Sequence, residues 1–515
     1  MTGTAPLLRP AAAWAAPVLV VGASALAVFH GIGFSVWLDE AFSYGVATSP
    51  WHVLLGLWAW GPESNMTLYY VVLKVWLGIT GWLGIAPNEL VLRLPNLVFA
   101  VAAALTTYLI GARLFGRIAG LVGAGLYLTN FLQMILAQMA RSYTLELFLL
   151  AASWYALFAA LESEGGHRAR RWWIVFVASA VLAVYAALFS GLVLISQATA
   201  LVALLIIPGR WRERVRANLR SLIIAFGMVF LLVLPIGIDA ALNGGQHWVP
   251  PVGLRDVREF FRFLGGDSRS YELLVFGSAM LGGLLTLAAR IRPFDRLTRA
   301  RPEWLGPAVA IACWFLVPLG IAFVFTQPHL NLHLFFKRYL VVVVPPLCLL
   351  AGLAVGALRW RLAQAALAAL LVFVAVPQLL HYYPYAQVQN VRDPVRWIEQ
   401  RYQPGDGMIC VPQPECAIAI GYYLELDRGP AHFDGDSPGR FSWTHEATVS
   451  PTGAAVQEYA ARHSRVFFIF APIGSSPAQK TQEQQLEGML RSQATEVGRT
   501  TARSAVETTV VLYQR

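Results

Sequence analysis

Two adjacent carboxylates, Asp39 and Glu40, stand in "SVWLDEAFSYG", directly after an apolar stretch that runs from Ala11 to Phe34. A carboxylate fixed there can act as general base, taking the proton of an attacking hydroxyl. The same residues also suit a helix start, with Asp39 as N-cap and Glu40 favoured by the helix dipole. A second acidic element, Glu63 with Asn65 in "GPESNMTLYY", fits a turn, a divalent cation held by oxygen ligands, or hydrogen bonds to sugar hydroxyls. Basic candidates follow: Arg141 with Tyr143 in "MARSYTLEL", and Lys337 with Arg338 in "HLNLHLFFKRYLVVVVPP". The planar guanidinium fork matches phosphate oxygens, although a single cation at a membrane edge also serves by snorkelling to head groups. His329 and His333 lie four residues apart, but no third ligand stands near them in sequence, which weakens a metal reading.

The elements that carry these residues follow from composition. Hydrophobic residues make up 57% of the chain and charged residues only 13%, the pattern of a multi-span membrane protein. The net charge of +10 is not a nucleic-acid signal, because most arginines sit in short clusters between apolar runs. Hydropathy alone gives about twelve runs long enough to span. Clusters at Arg113/Arg117, Arg168–Arg171, Arg210–Arg220, Arg290–Arg301 and Arg359/Arg361 recur after every second run. Positive loops stay on the cytoplasmic side, so all five clusters share one side, and with Arg9 also inside this works only if one of the two runs between Asp39 and Arg113 fails to cross. Residues 67 to 85, with Lys74, Trp76, Trp82 and three glycines, suit an interfacial helix. The expectation is about eleven spans, with interfacial helices in the first outer loop. The N-terminus is then cytoplasmic, the first run is an uncleaved span rather than a signal peptide, and the C-terminus lies outside. Asp39, Glu40, Glu63, Arg141, Lys337 and Arg338 all fall on the outer face, where several cations beside acids favour an anionic ligand.

After about residue 380 the pattern becomes soluble. Helices are expected in "RDPVRWIEQRY", with Asp393 as N-cap, in "GAAVQEYAARHS" and in "QKTQEQQLEGMLRSQ". Strands are expected in "MICV", "RVFFIFA" and "ETTVVLYQR". The division is a membrane domain over 1–380 and a small extracytoplasmic α/β domain over 381–515, without a phosphate loop or metal-ligand spacing. Cys410 and Cys416 can pair if this domain faces an oxidising compartment.

The succession "LDEAFS", "ESNMTLYY", "VLRLPNLVFAVAAALTTYLIGARLFG", "ARSYTLEL" and "KRYLVVVVPP" resembles the GT-C glycosyltransferase superfamily. The likeness is to the family 39-like integral membrane enzymes, such as aminoarabinose transferases and protein O-mannosyltransferases. It covers roughly residues 1 to 380 and is strongest in the first 160. It implies a GT-C fold in the plasma (inner) membrane and transfer of a hexose or pentose from a polyprenyl-phosphate sugar, on the outer face, to a glycan, lipid or protein hydroxyl. By that resemblance Asp39 is the base and Glu40 its neighbour. Arg141, Lys337 and Arg338 meet the donor phosphate, and Glu63, Asn65 and Tyr143 meet substrate. A divalent metal cation, if used, falls to Glu63. Some relatives carry an Asp in the second outer loop, where this chain has Arg141, with Glu146 further on. The competing classes are a lipid-linked glycan transporter or flippase, an oligosaccharide ligase and a non-enzymatic assembly subunit. A transporter would show internal repeats and midplane charges, and no repeat is evident.

Overall fold

The structure, a computed structural model, describes residues 10–60, 65–163, 165–243, 252–330, 334–382, 387–412, 415–427, 453–472 and 477–515. In chain order its helices begin with α1 (Pro10–Phe29), α2 (Leu38–Thr48), α3 (Trp51–Trp60), α4 (Thr67–Trp82), α5 (Glu89–Phe115), α6 (Arg117–Thr129) and α7 (Phe131–Ala137). They continue with α8 (Tyr143–Glu162), α9 (Gly166–Ala186), α10 (Ser190–Ile206), α11 (Arg210–Ala217), α12 (Leu219–Asn243), α13 (Leu254–Leu264) and α14 (Arg269–Ala288). Next come α15 (Leu305–Phe325), α16 (Val344–Ala357, entered through a 3-10 turn), α17 (Arg361–Tyr382) and α18 (Arg392–Glu399). The chain ends β1 (Gly407–Val411), α19 (Glu415–Asp427), α20 (Gly453–Arg462), β2 (Arg465–Phe470), α21 (Pro477–Arg491), β3 (Thr495–Ala502) and β4 (Thr508–Gln514). Two compact units are distinguished, and each is described by itself.

The larger unit comprises Met1–His30, Leu55–Tyr69 and Pro95–Tyr382. Among the described residues seven helices are long and apolar enough to cross a bilayer, α8, α9, α12, α14 and α15 among them. Two bent pairs, α6 with α7 and α10 with α11, join them at breaks of 66° and 118°. The shorter apolar helices Ala15–Phe29 and Arg361–Ala375 complete the set. Each of the eleven runs expected to span therefore lies in one of these helices or pairs, and α4 is not among them. Lipid offers no hydrogen bonds to an exposed backbone, which is why helices are the form these runs take. The break after α6 falls at Asn130, whose side chain caps α7 by accepting from the Gln133 amide at 3.2 Å. In α11, "RWRERVRA" is too polar for hydrocarbon, so α10 alone is the apolar arm of its pair.

Helix α16 is the most buried of the long apolar helices. Its close approach to α6 depends on a missing side chain: a Cβ on Gly352 would run into Ala119 O and would meet Gly123 N at 2.7 Å. Small residues at such crossings let membrane helices pack without a hydrophobic drive. In contrast, α12 leaves Ile223, Ile224, Phe230 and Leu231 exposed, as a lipid-facing helix would. Helices α8 and α10 run in the same direction and share two buried polar rungs, Ser190 Oγ to Glu146 Oε1 at 3.0 Å and Gln197 Nε2 to Ser153 Oγ at 2.8 Å. On each helix the rungs are seven residues apart, two helical turns, so both lie on one seam.

The arginine clusters meet at one end of this unit. Arg113 and Arg214, from different clusters, each contact Glu162 at the close of α8, at 2.7 and 2.8 Å. Arg290 donates to Pro208 O at 2.8 Å, and Arg359 donates to Arg296 O at 2.5 Å. The turn around Arg141 precedes the opposite end of α8, about 30 Å away by helix rise.

The smaller unit comprises Gly31–Leu54, Tyr70–Leu94 and Tyr383–Arg515, so first-loop segments cluster with the C-terminal sheet. The four strands lie in the order β1-β2-β4-β3, with β1 parallel to β2 and the other pairs antiparallel. All six expected elements of this region are present; α19 and the exposed edge strand β3 are additional. Helix α18 starts one residue before Asp393, and Asn390 rather than Asp393 faces its first turn, accepting from the Asp393 amide at 3.3 Å. Cys410 and Cys416 form a disulfide between β1 and α19.

Candidate functional site

In the smaller unit the two acids of the opening stretch separate into different environments. Trp37, in an extended conformation, is the N-cap of α2, so Asp39 sits inside the first turn and is not the cap. Glu40, at the third helical position, reaches back and accepts from the Trp37 amide at 3.4 Å, the backward contact of a helix start. Glu40 is 0% exposed and its carboxylate is held by Arg93, Nε to Oε1 at 2.7 Å and Nη2 to Oε2 at 2.5 Å. Arg93, 3% exposed, spends its remaining donors on the carbonyls of Ile32, Phe34 and Ser35. One guanidinium thus folds the 32–35 turn around the start of α2. Glu40, expected as the neighbour of the base, is thus a fully buried carboxylate whose two-point ion pair holds the helix start. Breaking such a pair from one side costs about 3–5 kcal/mol. Asp39 is half-buried on the adjacent helical position.

A second set of bonds fastens the same turn to the C-terminal part of this unit. Ser35 Oγ accepts from the Val391 and Arg392 amides at 3.0 and 3.1 Å. Tyr423 Oη accepts from the Val36 amide at 2.7 Å and donates to Glu89 at 2.9 Å, and Arg392 also contacts Glu89 at 3.0 Å. Burial, reinforced by the charge of Glu89, raises the Tyr423 hydroxyl above the usual phenol range, which keeps it a donor. Tyr422 stacks edge-on against Tyr44, five residues along α2 from Asp39, at 5.1 Å between centroids. The segment bearing the candidate base is therefore held by α18 and α19.

In the larger unit the predicted basic and substrate residues take up several positions. Arg141 is half-buried on the turn between α7 and α8, and its carbonyl accepts from Asn96 Nδ2 at 2.6 Å. Tyr143 is buried at the start of α8. Asn65 Oδ1 accepts from the Leu188 amide at 3.2 Å and so anchors the α9–α10 turn. That is a structural use of the oxygen expected to contact substrate. Lys337 lies over the Phe263 ring at 5.3 Å and Arg338 over Phe336 at 5.9 Å, both half-buried on the approach to α16. Glu146 is buried against Ser190 within a span.

Glu63 and His333 lie outside the described residues; His329 is exposed. Among the described residues no three His, Cys, Asp or Glu side chains gather around a possible metal position. Sequence reasoning missed Arg93, Tyr423 and Asn96. Arg93 and Asn96 stand in "VLRLPN", where an arginine and an asparagine in the first turns of a span were the available signal.

No protein-family model and no curated protein sequence matches the chain. Solved structures match over nearly its whole length. ArnT from Cupriavidus metallidurans bound to undecaprenyl phosphate superposes with a TM-score of 0.56 at 15% identity, over 96% of this chain and 97% of that one. The arabinofuranosyltransferase AftD from Mycobacteria gives 0.52 at 13% identity, over 97% of this chain and 39% of that one. The oligosaccharyltransferase AglB from Archaeoglobus fulgidus, solved with an inhibitory peptide and a dolichol-phosphate, gives 0.50 at 12%, over 88% and 69%. The chain has the GT-C fold: a multi-pass helical membrane region with a small C-terminal sheet domain.

Proposed function

We propose that this protein is a glycosyltransferase that moves one sugar from a polyprenyl-phosphate donor to a hydroxyl acceptor at the outer face of the plasma membrane. Asp39 serves as general base. The acceptor hydroxyl gives its proton to Asp39 as its oxygen attacks the anomeric carbon; the bond from that carbon to the phosphate oxygen breaks, and the lipid phosphate leaves with the electron pair. Attack opposite the leaving group inverts the anomeric centre. A lipid phosphate is already a good leaving group, so the demands are orientation, deprotonation and neutralisation of charge on the phosphate. Arg141, Lys337 and Arg338 are assigned that last role.

The observation that carries the reading is the unequal treatment of the acid pair. The Arg93 ion pair engages both carboxylate oxygens of Glu40 and braces the helix turn on which Asp39, half-buried, stands, which supports Asp39 as the base. Whole-length likeness to a transferase bound to undecaprenyl phosphate supports the donor class. The meeting of arginine clusters at one end of the larger unit supports a cytoplasmic face there. The Cys410–Cys416 disulfide supports an oxidising, extracytoplasmic location for the smaller unit. A metal enters no step here; stimulation of turnover by a divalent cation, lost in Glu63→Gln, would add one at Glu63.

The test is transfer of radiolabelled sugar from a panel of polyprenyl-phosphate monosaccharides in reconstituted membranes. Turnover of at least one donor by wild type establishes the class. Absence of transfer from every donor, with lipid translocation observed instead, would replace the reading with a flippase.

A further inference from the structure

The turn that carries Arg141 is gripped from two directions. On one side Gln138 Nε2 donates to Val28 O in α1 at 3.1 Å. On the other, Asn96 Nδ2 donates to the carbonyl of Arg141 itself at 2.6 Å, while Asn96 Oδ1 accepts from Tyr69 Oη at 2.7 Å. Asn96 and Tyr69 are both 0% exposed. A main-chain carbonyl can only accept, so the Asn96 amide must turn its NH2 toward Arg141 and its oxygen toward Tyr69. The direction of this relay is thereby fixed without ambiguity in the amide.

Tyr69 stands in the first turn of α4, and along the entry to that helix, residues 65–69, every second side chain is fastened. Asn65 accepts from the Leu188 amide at 3.2 Å and Thr67 donates to Tyr185 O at 3.3 Å. Between them Met66, buried, has φ of +68°, a left-handed conformation that a non-glycine residue keeps only when its surroundings enforce it. A helix entry held under such strain gives Tyr69 a fixed position from which to orient Asn96.

We infer that Asn96, oriented by Tyr69, is a positioning residue that sets the Arg141 guanidinium for the lipid phosphate. The inference rests on the reading of Arg141 as a donor-phosphate residue. Guanidinium–phosphate bonding is directional, so a displacement of the turn by a fraction of an ångström is enough to lose one of two parallel bonds. Asn96 acts through the main chain of Arg141.

The test is a double-mutant cycle on the full-length protein in nanodiscs, reading the dissociation constant for undecaprenyl phosphate. Asn96→Asp keeps the size but sets an oxygen against the carbonyl. It should weaken binding about tenfold. Arg141→Gln should weaken it at least as much, and the double variant should bind no worse than Arg141→Gln alone, because the first change acts only through the second residue. Wild-type affinity in Asn96→Asp, or losses that multiply in the double variant, would overturn the inference. If Asn96→Asp does not fold by thermal unfolding in detergent, Tyr69→Phe replaces it in the cycle. The expected loss is then about threefold, absent in the Arg141→Gln background. Wild-type affinity in Arg141→Gln would instead refute the phosphate reading of Arg141, and the positioning role with it.

Discussion

Two turns of this molecule carry candidate reactive side chains, and they are fixed by different chemistry. In the smaller unit the start of α2, with Asp39, is clamped by a buried ion pair between Arg93 and Glu40. In the larger unit the turn with Arg141 is clamped by neutral amides and a phenol, from Gln138, Asn96 and Tyr69. The charged clamp makes more bonds, but each partner depends on the other, because a buried charge left alone is severely penalised. The neutral clamp is weaker per bond and tolerant of losing one. The contrast predicts that the acid-bearing turn fails abruptly and the arginine-bearing turn fails gradually.

The largest effect should therefore come from Arg93→Met, which strands Glu40. A loss of about 3–5 kcal/mol is expected in thermal unfolding of the purified protein. The double change Arg93→Met with Glu40→Met should recover part of it, and equal losses for single and double variants would break the contrast. An intermediate loss of about 2 kcal/mol is expected when Cys410→Ser and Cys416→Ser together open the short disulfide loop between β1 and α19. Reduction of wild type should reproduce that shift; no shift would remove the covalent link from the forces fixing this unit. Tyr69→Phe should show the smallest change, about 0.5–1.5 kcal/mol, since it deletes one neutral hydrogen bond while Asn96 keeps its bond to Arg141. A loss as large as that of Arg93→Met would show the two clamps to be alike.

Much of the fold was legible because bilayer physics leaves a coarse record. Apolar length marked each span, arginine spacing grouped their ends, and the 67–85 run, set aside for its lysine and glycines, became the short helix α4. The short β-branched and aromatic runs in "RVFFIFA" and "ETTVVLYQR" marked β2 and β4, whereas "TEVGRTTA" is too polar to signal β3 as an exposed edge strand. The site was less legible, for a physical reason. The role of Glu40 depends on Arg93, 53 residues away, and that of the Arg141 turn on Asn96, 45 residues away. No local pattern encodes such pairings. Asp39 looked like a helix cap because the cap preference is local; the cap position falls to Trp37, and the side-chain contact at the helix start comes from Glu40, reaching back to the Trp37 amide.

The two neighbouring acids divide into a base and a fixture, and Asp39→Asn separates them when sugar transfer and undecaprenyl-phosphate affinity are measured on the same reconstituted preparation. Turnover should fall by about 10²–10⁴-fold, the range for loss of a general base, with lipid affinity and unfolding temperature unchanged. Turnover equal to wild type would contradict that division.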